Sequence, residues 1–198
     1  MPTDLPIKCS CGSFRGVARQ ISGRAGIRLI CYCGDCQSFA NFLGRADEIL
    51  DTHGGTDIFQ TSPAKIEITE GRDHLACMRL SPDGLLRWYA DCCKTPVGNT
   101  QPTRQVPFVG LVSACMNSEG RSLDEFIGPV SARIEGRSAT GDRKEINAHD
   151  KIPPSVFFRL LPRLLFWRLR GDHSLTPFFD DDGAPVVTPR VLDEQNSS

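Results

Sequence analysis

Seven of the nine cysteines in this chain fall into three short clusters, and that grouping constrains the fold more than any other feature. Cys9-Ser-Cys11 stands near the start, Cys31-Tyr-Cys33-Gly-Asp-Cys36 follows, and Cys92-Cys93 lies within WYADCCKTPVGN. Short Cys-x-Cys and Cys-x-x-Cys spacings let one turn of chain aim two sulfurs at a common point. A soft-liganded tetrahedral ion such as Zn²⁺ then joins them to sulfurs from a distant strand. An odd cysteine count rules out complete disulfide pairing within the chain. The amino terminus, MPTDLPIKCSCG, lacks the basic start, apolar stretch and small-residue cleavage site of a secretory signal. No apolar run approaches the ~20 residues that span a bilayer. The expected compartment is therefore the cytoplasm, where clustered thiols bind metal more often than they pair.

The segments between the clusters read as short strands. Ser13–Gln20, Gly26–Tyr32, Lys65–Thr69, Leu75–Leu80, Leu85–Ala90, Val106–Cys115 and Ile127–Ile134 carry apolar or alternating patterns, with turn residues between them. Ser81-Pro-Asp-Gly84 marks a hairpin. Strands with turns every ten residues or so imply a mainly β, antiparallel fold. Helices are expected at Asp35–Leu43, at Ala46–Thr52 and, most clearly, at Pro154–Arg170, which Pro162 should kink or split. The reading is a β domain over 1–150 and a helix with an irregular tail over 151–198, its polar end EQNSS frayed. The late helix is apolar around most of its circumference. It is expected to pack on the sheet or on a second copy in a homodimer rather than on a membrane surface. A formal charge of −1 gives no general pull toward nucleic acid.

The clusters differ in chemistry. Cys9 and Cys11, joined by the Cys92/Cys93 region, form a closed and hence structural site. Cys31, Cys33 and Cys36 supply three thiolates and leave one tetrahedral corner for water, a substrate thiol or a fourth protein ligand; an open corner is the mark of a catalytic zinc. Three thiolates leave Zn²⁺ a weakened Lewis acid, so deprotonating a bound thiol fits better than splitting a peptide with bound water. A redox dithiol is the bland alternative for this run. Cys77 and Cys115 sit alone in apolar runs and read as small buried hydrophobes. His53, His74, His149 and His173 share no ligand-like spacing and read as surface or core residues.

The order and spacing of the three elements resemble the glutathione-dependent formaldehyde-activating enzyme family, to whose superfamily centromere protein V belongs. The resemblance covers about residues 7–135. It implies a β-tent of antiparallel sheets with one or two zinc ions per chain. In that family the first and third elements hold a structural zinc. The middle element, matched by Cys31, Cys33 and Cys36, holds the zinc at which the thiol of glutathione meets formaldehyde. The third element departs from the family's aromatic-Cys-x-x-Cys-Gly-Thr-Pro: Ala90 replaces the first cysteine and Lys94 the glycine. Adjacent side chains on a strand point to opposite faces, so Cys92 can join Cys93, Cys9 and Cys11 only after a bulge. Water in its place, or a site without zinc, is the alternative.

The function this implies is that of a zinc-dependent carbon–sulfur lyase. It would bind a small thiol such as glutathione at Cys31, Cys33 and Cys36 and add it to an aldehyde, or reverse that addition. The alternative is a non-catalytic zinc-stabilised scaffold in which Cys77 or a histidine closes the site. Arg28, Arg45 and Arg72 are candidates, by residue type alone, for holding a thiol's carboxylate.

Overall fold

Alternation of apolar and polar residues sorts the strands into two sheets. The computed structural model describes residues 1–141 and 143–192. In chain order the first half holds β1 (Thr3–Lys8), β2 (Arg15–Ile21), β3 (Ile27–Cys31), α1 (Gly34–Phe42), α2 (Ala46–Ile49), β4 (Thr56–Thr61), β5 (Ile66–Glu70), β6 (Leu75–Arg79) and β7 (Leu86–Ala90). The second holds β8 (Thr95–Thr100), β9 (Val109–Val112), α3 (Leu123–Ile127), β10 (Ala132–Ile134), α4 (Arg143–Ile146), α5 (Pro154–Leu169) and β11 (Arg190–Val191). Strands β1, β2 and β5 make a three-stranded antiparallel sheet, while eight strands make a larger one in the order β10-β3-β4-β9-β8-β7-β6-β11. The mainly β reading holds.

The large sheet is not wholly antiparallel. Its outer strands β10 and β11 pair in parallel with β3 and β6. Both arrive from late in the chain by long connections, and a crossover rather than a hairpin is what permits parallel pairing. The tail expected to be irregular thus supplies an edge strand.

The main core lies between the sheets. Leu5, Ile7, Phe14 and Ile21 meet Phe59, Leu86, Trp88, Ala90, Val109 and Leu111 there. The tail enters this core: Phe178 is fully buried and its ring lies 5.1 Å from that of Trp88. Period-two alternation sends intervening residues to the other face of the large sheet, where Met78 and Tyr89 pack on α1 through Phe39 and Leu43. Helix α5 lies over that same face and buries Val156 against Leu29, Ile58 and Ile134.

Several boundaries moved. β1, β4 and β8 were not expected. The segment Ile127–Ile134 is split: Ile127 ends α3, Gly128 turns the chain at φ 77°, and only Ala132–Ile134 is strand. Likewise Val106–Cys115 keeps Val109–Val112 as strand and closes in a 3₁₀ turn over Ser113–Cys115. Pro162 does not split α5, which runs unbroken from Pro154 to Leu169. Pro162 is exposed, so solvent is at hand for the carbonyl whose partner it removes. Nor is α5 buried all round: Val156 and Trp167 are its buried residues, and its outer side is bare. The EQNSS end lies outside the described residues.

Candidate metal centres

The first centre is built from two turns. Cys9 and Cys11 lie on the β1–β2 connection, where the Phe14 backbone N–H donates to Cys9 Sγ at 3.2 Å. Asp91–Lys94 is a tight turn between β7 and β8, with Lys94 in the left-handed region at φ 58°. That turn answers the difficulty of adjacent cysteines, because side chains of a turn need not alternate as those of a strand do. The four sulfurs of Cys9, Cys11, Cys92 and Cys93 all lie within 4.8 Å of one another. Cys9–Cys11 is 3.4 Å, Cys9–Cys92 3.7 Å, Cys11–Cys92 3.4 Å and Cys92–Cys93 3.9 Å. A tetrahedron of thiolates around zinc at 2.3 Å has edges of roughly 3.8 Å, so this donor set fits such an ion. Lys94 occupies the position where a left-handed turn favours glycine, and it pairs with Asp91 while lying 5.4 Å from the Tyr89 ring.

Electrostatics in this centre follow from crowding. Burial and the neighbouring thiols of Cys11 and Cys9 raise the Cys92 pKa. Burial also acts to raise Cys93, but hydrogen bonds from Ser10, Thr95 and Cys11 outweigh it and bring that thiol down to about 5. Arg45 braces the site from α2's start, donating to Ser10 Oγ at 2.6 Å and to the Cys93 carbonyl at 2.8 Å.

The second centre sits at the opposite face of the large sheet. Cys31 ends β3, Cys33 caps α1, and Cys36 lies in that helix's first turn, its backbone N–H donating to Cys33 Sγ at 3.4 Å. The three sulfurs lie within 4.8 Å of one another, and among the described residues no fourth Cys, His, Asp or Glu joins them. Cys77, a candidate to close the site, is instead buried in the main core, as is Cys115. Tyr32, between the ligating positions, is fully buried and donates from its hydroxyl to Asp51 Oδ2 at 3.0 Å, which pins the loop from behind. Burial, then the Asp51 carboxylate, push its phenol up to about 12. Gln37 Nε2 closes the loop on the Tyr32 and Ser138 carbonyls at 2.9 and 2.8 Å.

Three thiols this close cannot all ionise without a cation between them. Donation from Cys31 and Cys36 drives Cys33 far down, to about 2, while contact with Cys33 raises Cys31. Cys36 is held at about 11, the pull of Cys31 downward being outweighed by Cys33 and by burial. A metal ion supplies the positive charge that would let all three ionise.

These cysteines line a cavity of about 320 Å³. Its walls are mostly apolar, with Leu29, Ile58 and Ile134 from the sheet, Phe108 from the segment just before β9, and Leu160 and Leu164 from α5. Polar groups enter at Gln60, Arg87, Asn99 and Gln101. Arg87 is the unexpected one. It alternates with Leu86 and Trp88 on β7, so it leaves the main core and projects into the α1 face, where its side chain is 2% exposed. It donates to Asp35 Oδ2 at 3.2 Å, inside the cysteine run itself, and lies 5.5 Å from the Phe39 ring. Its Nε and Gln60 Oε1 are buried with no partner. A lone charge in the apolar strand LLRWYA was the sequence signal for it. The arginines favoured by type lie elsewhere: Arg28 is held by Asp57 and Asp124, Arg45 braces the other centre, and Arg72 is at the surface. The four histidines join neither cluster.

Comparison with known proteins adds three findings. No curated protein matches the chain. A crystal structure of a Rhodobacter sphaeroides protein is 15% identical to it, covering 63% of this chain and 96% of that one at a TM-score of 0.43. The DUF6151 family, described as a family of unknown function, matches residues 1–188, and the chain belongs to it.

Proposed function

We propose that the chain is a zinc-dependent enzyme of carbon–sulfur chemistry, adding a small thiol to an aldehyde or reversing that addition. The observation that carries this reading is the convergence of Cys31, Cys33 and Cys36, with no fourth protein donor among the described residues, on the wall of a cavity. Resemblance of the three cysteine elements to the glutathione-dependent formaldehyde-activating family supports the same chemistry. Zinc held by three thiolates supplies an open coordination position and a charge that lowers the pKa of a thiol entering it.

The chain's own residues do the rest. Apolar walls exclude water and favour a thiol with an apolar body over one as polar as glutathione. Arg87, buried beside the cysteines, offsets the negative charge of three thiolates and orients the Cys33–Cys36 loop through Asp35. In this reading Asp35, 64% exposed and lining the cavity, is the carboxylate that would pass a proton between thiol and solvent. In the addition, a carbon–sulfur bond forms and the carbonyl π bond breaks. The thiol proton ends on the new hydroxyl oxygen, with no oxidant or reductant required.

The test is zinc per chain in the native protein and in Cys31→Ser/Cys33→Ser, followed by NMR of thiol–aldehyde exchange with thiols from glutathione to alkyl and aryl mercaptans. The reading requires loss of one zinc equivalent with the fold intact, and exchange accelerated by the native protein alone. Zinc lost together with the fold, and no acceleration, would instead make the chain a zinc-stabilised scaffold.

A further inference from the structure

Helix α5 presents an apolar surface that nothing in the described chain covers. At about 100° per residue, Val156, Leu160, Leu164 and Trp167 share the inward side of the helix. Phe157, Phe158, Leu161, Leu165 and Leu169 form one continuous outward arc, with Phe166 at its edge. Exposure along that surface runs from 50% at Leu161 to 78% at Leu169. Arg168 falls within the arc, between Phe157 and Leu161, and Arg159, Arg163 and Arg170 border it on the side beyond Phe166. Residues 151–170 hold five of the chain's 23 basic residues and none of its 24 acidic ones. Arg170 is answered by Asp172 at 3.6 Å, whereas Arg159 and Arg168 have no carboxylate within ion-pair distance among the described residues.

From this we infer that α5 docks the protein on an anionic lipid surface. A bare patch of this kind marks an interaction site. Residues 193–198, Asp-Glu-Gln-Asn-Ser-Ser, offer no apolar side chain to cover it. A second copy is a poor match, because two-fold pairing of this face brings the arginines on it and along its edge toward those of the other copy, with no acidic residue in the segment to answer them. A lipid leaflet satisfies both features, taking the Phe and Leu side chains at its acyl boundary and the arginines at its phosphates. The helix has 16 residues, and no described helix is long and apolar enough to cross a membrane, so α5 lies along the surface. The sequence expectation of packing on the sheet rather than on a membrane surface holds for the inward side of α5 alone; its outward side is bare.

Co-sedimentation with phosphatidylcholine vesicles, with and without phosphatidylglycerol, tests the inference on the full chain. Binding should be at least about tenfold tighter with phosphatidylglycerol present and should weaken as salt is raised. Leu165→Ser/Leu169→Ser and Arg159→Glu/Arg168→Glu change only exposed side chains. Each should lower vesicle binding at least about tenfold with unchanged thermal melting. A native chain that stays in the supernatant with both vesicles overturns the inference, as does binding indifferent to phosphatidylglycerol and salt. So does a dimer, seen by light scattering, that dissociates in Leu165→Ser/Leu169→Ser, because a second copy would then be the occupant.

Discussion

The two cysteine centres should contribute unequally to stability, and the difference follows from where they sit in the chain. An ion at the first centre closes a long loop, since Cys11 and Cys92 are 81 residues apart. Treated as a cross-link that removes loop entropy from the unfolded chain, such a closure is worth about 4.5 kcal/mol. Cys31 and Cys36 enclose a loop of only six residues, for which the same expression gives about 2 kcal/mol. At roughly 2–4 °C per kcal/mol for a chain of this size, losing the first ion should lower Tm by about 9–18 °C and losing the second by about 4–8 °C. Cys11→Ser/Cys92→Ser removes two exposed sulfurs and Cys33→Ser a half-buried one, so neither adds a buried cavity to the result. Circular dichroism melts of the metal-loaded proteins, with metal content measured on the same samples, give the comparison. If Cys33→Ser melts below Cys11→Ser/Cys92→Ser, the loop-closure reasoning is wrong and the second centre is the one that holds the fold.

Arg87→Met keeps the length and apolar contacts of the side chain and leaves behind an exposed Asp35, so the fold should hold. Metal affinity at Cys31, Cys33 and Cys36 should fall about 10–100-fold, as for other groups that orient a ligand loop, with competition against a chromophoric chelator as the readout. In metal-free protein the low pKa of Cys93, about 5 against an ordinary 9.0, has a definite sign: the folded chain binds fewer protons there, so its contribution to stability is present above pH 9.0 and is lost as pH falls through 5. Alkylation at about pH 6 should accordingly label Cys93 well before Cys77 and Cys115, and peptide mass spectrometry would show the order. Burial holds both of those core thiols up at about 12.

The legible parts of this fold were those in which side-chain pattern and backbone state agree. KIEIT alternates, and from Ile66 onward it is strand. The run of Leu, Phe and Trp after Pro154 has no reason to be anything but helix. The strands that escaped notice break the pattern for local reasons. β8, Thr-Pro-Val-Gly-Asn-Thr, is buried at every position yet holds residues that ordinarily end strands. Its register against β7 shifts between Trp88 and Tyr89, leaving Val97 as an extra residue between the pairs Trp88–Gly98 and Tyr89–Pro96. A bulge is where a sheet tolerates proline. Gly98 is dictated by the neighbouring strand, since a Cβ there would come within 2.9 Å of the Gly110 carbonyl oxygen. β1 carries its own proline, and β4, Thr-Asp-Ile-Phe-Gln-Thr, sets its two apolar residues side by side and so shows no alternation.

The candidate site divides along the same line. Sulfur spacing is a one-dimensional signal, so the cysteines of both centres could be named from the sequence, but which arginine would stand beside them could not. Arg87 lies 51 residues beyond Cys36 in the chain and reaches the site only because β7 alternates, sending Trp88 to one core and Arg87 to the other. Arg28 sits next to the cysteine run in sequence and fails for the same reason in reverse: it is spent on Asp57 and Asp124. The adjacent pair Cys92-Cys93 gives a further case. As part of a strand it could not have closed a tetrahedron. As part of a turn it can, and the left-handed Lys94 shows why the position after the pair favours glycine: the turn, rather than the identity of each ligand, is what must be preserved for four sulfurs to meet.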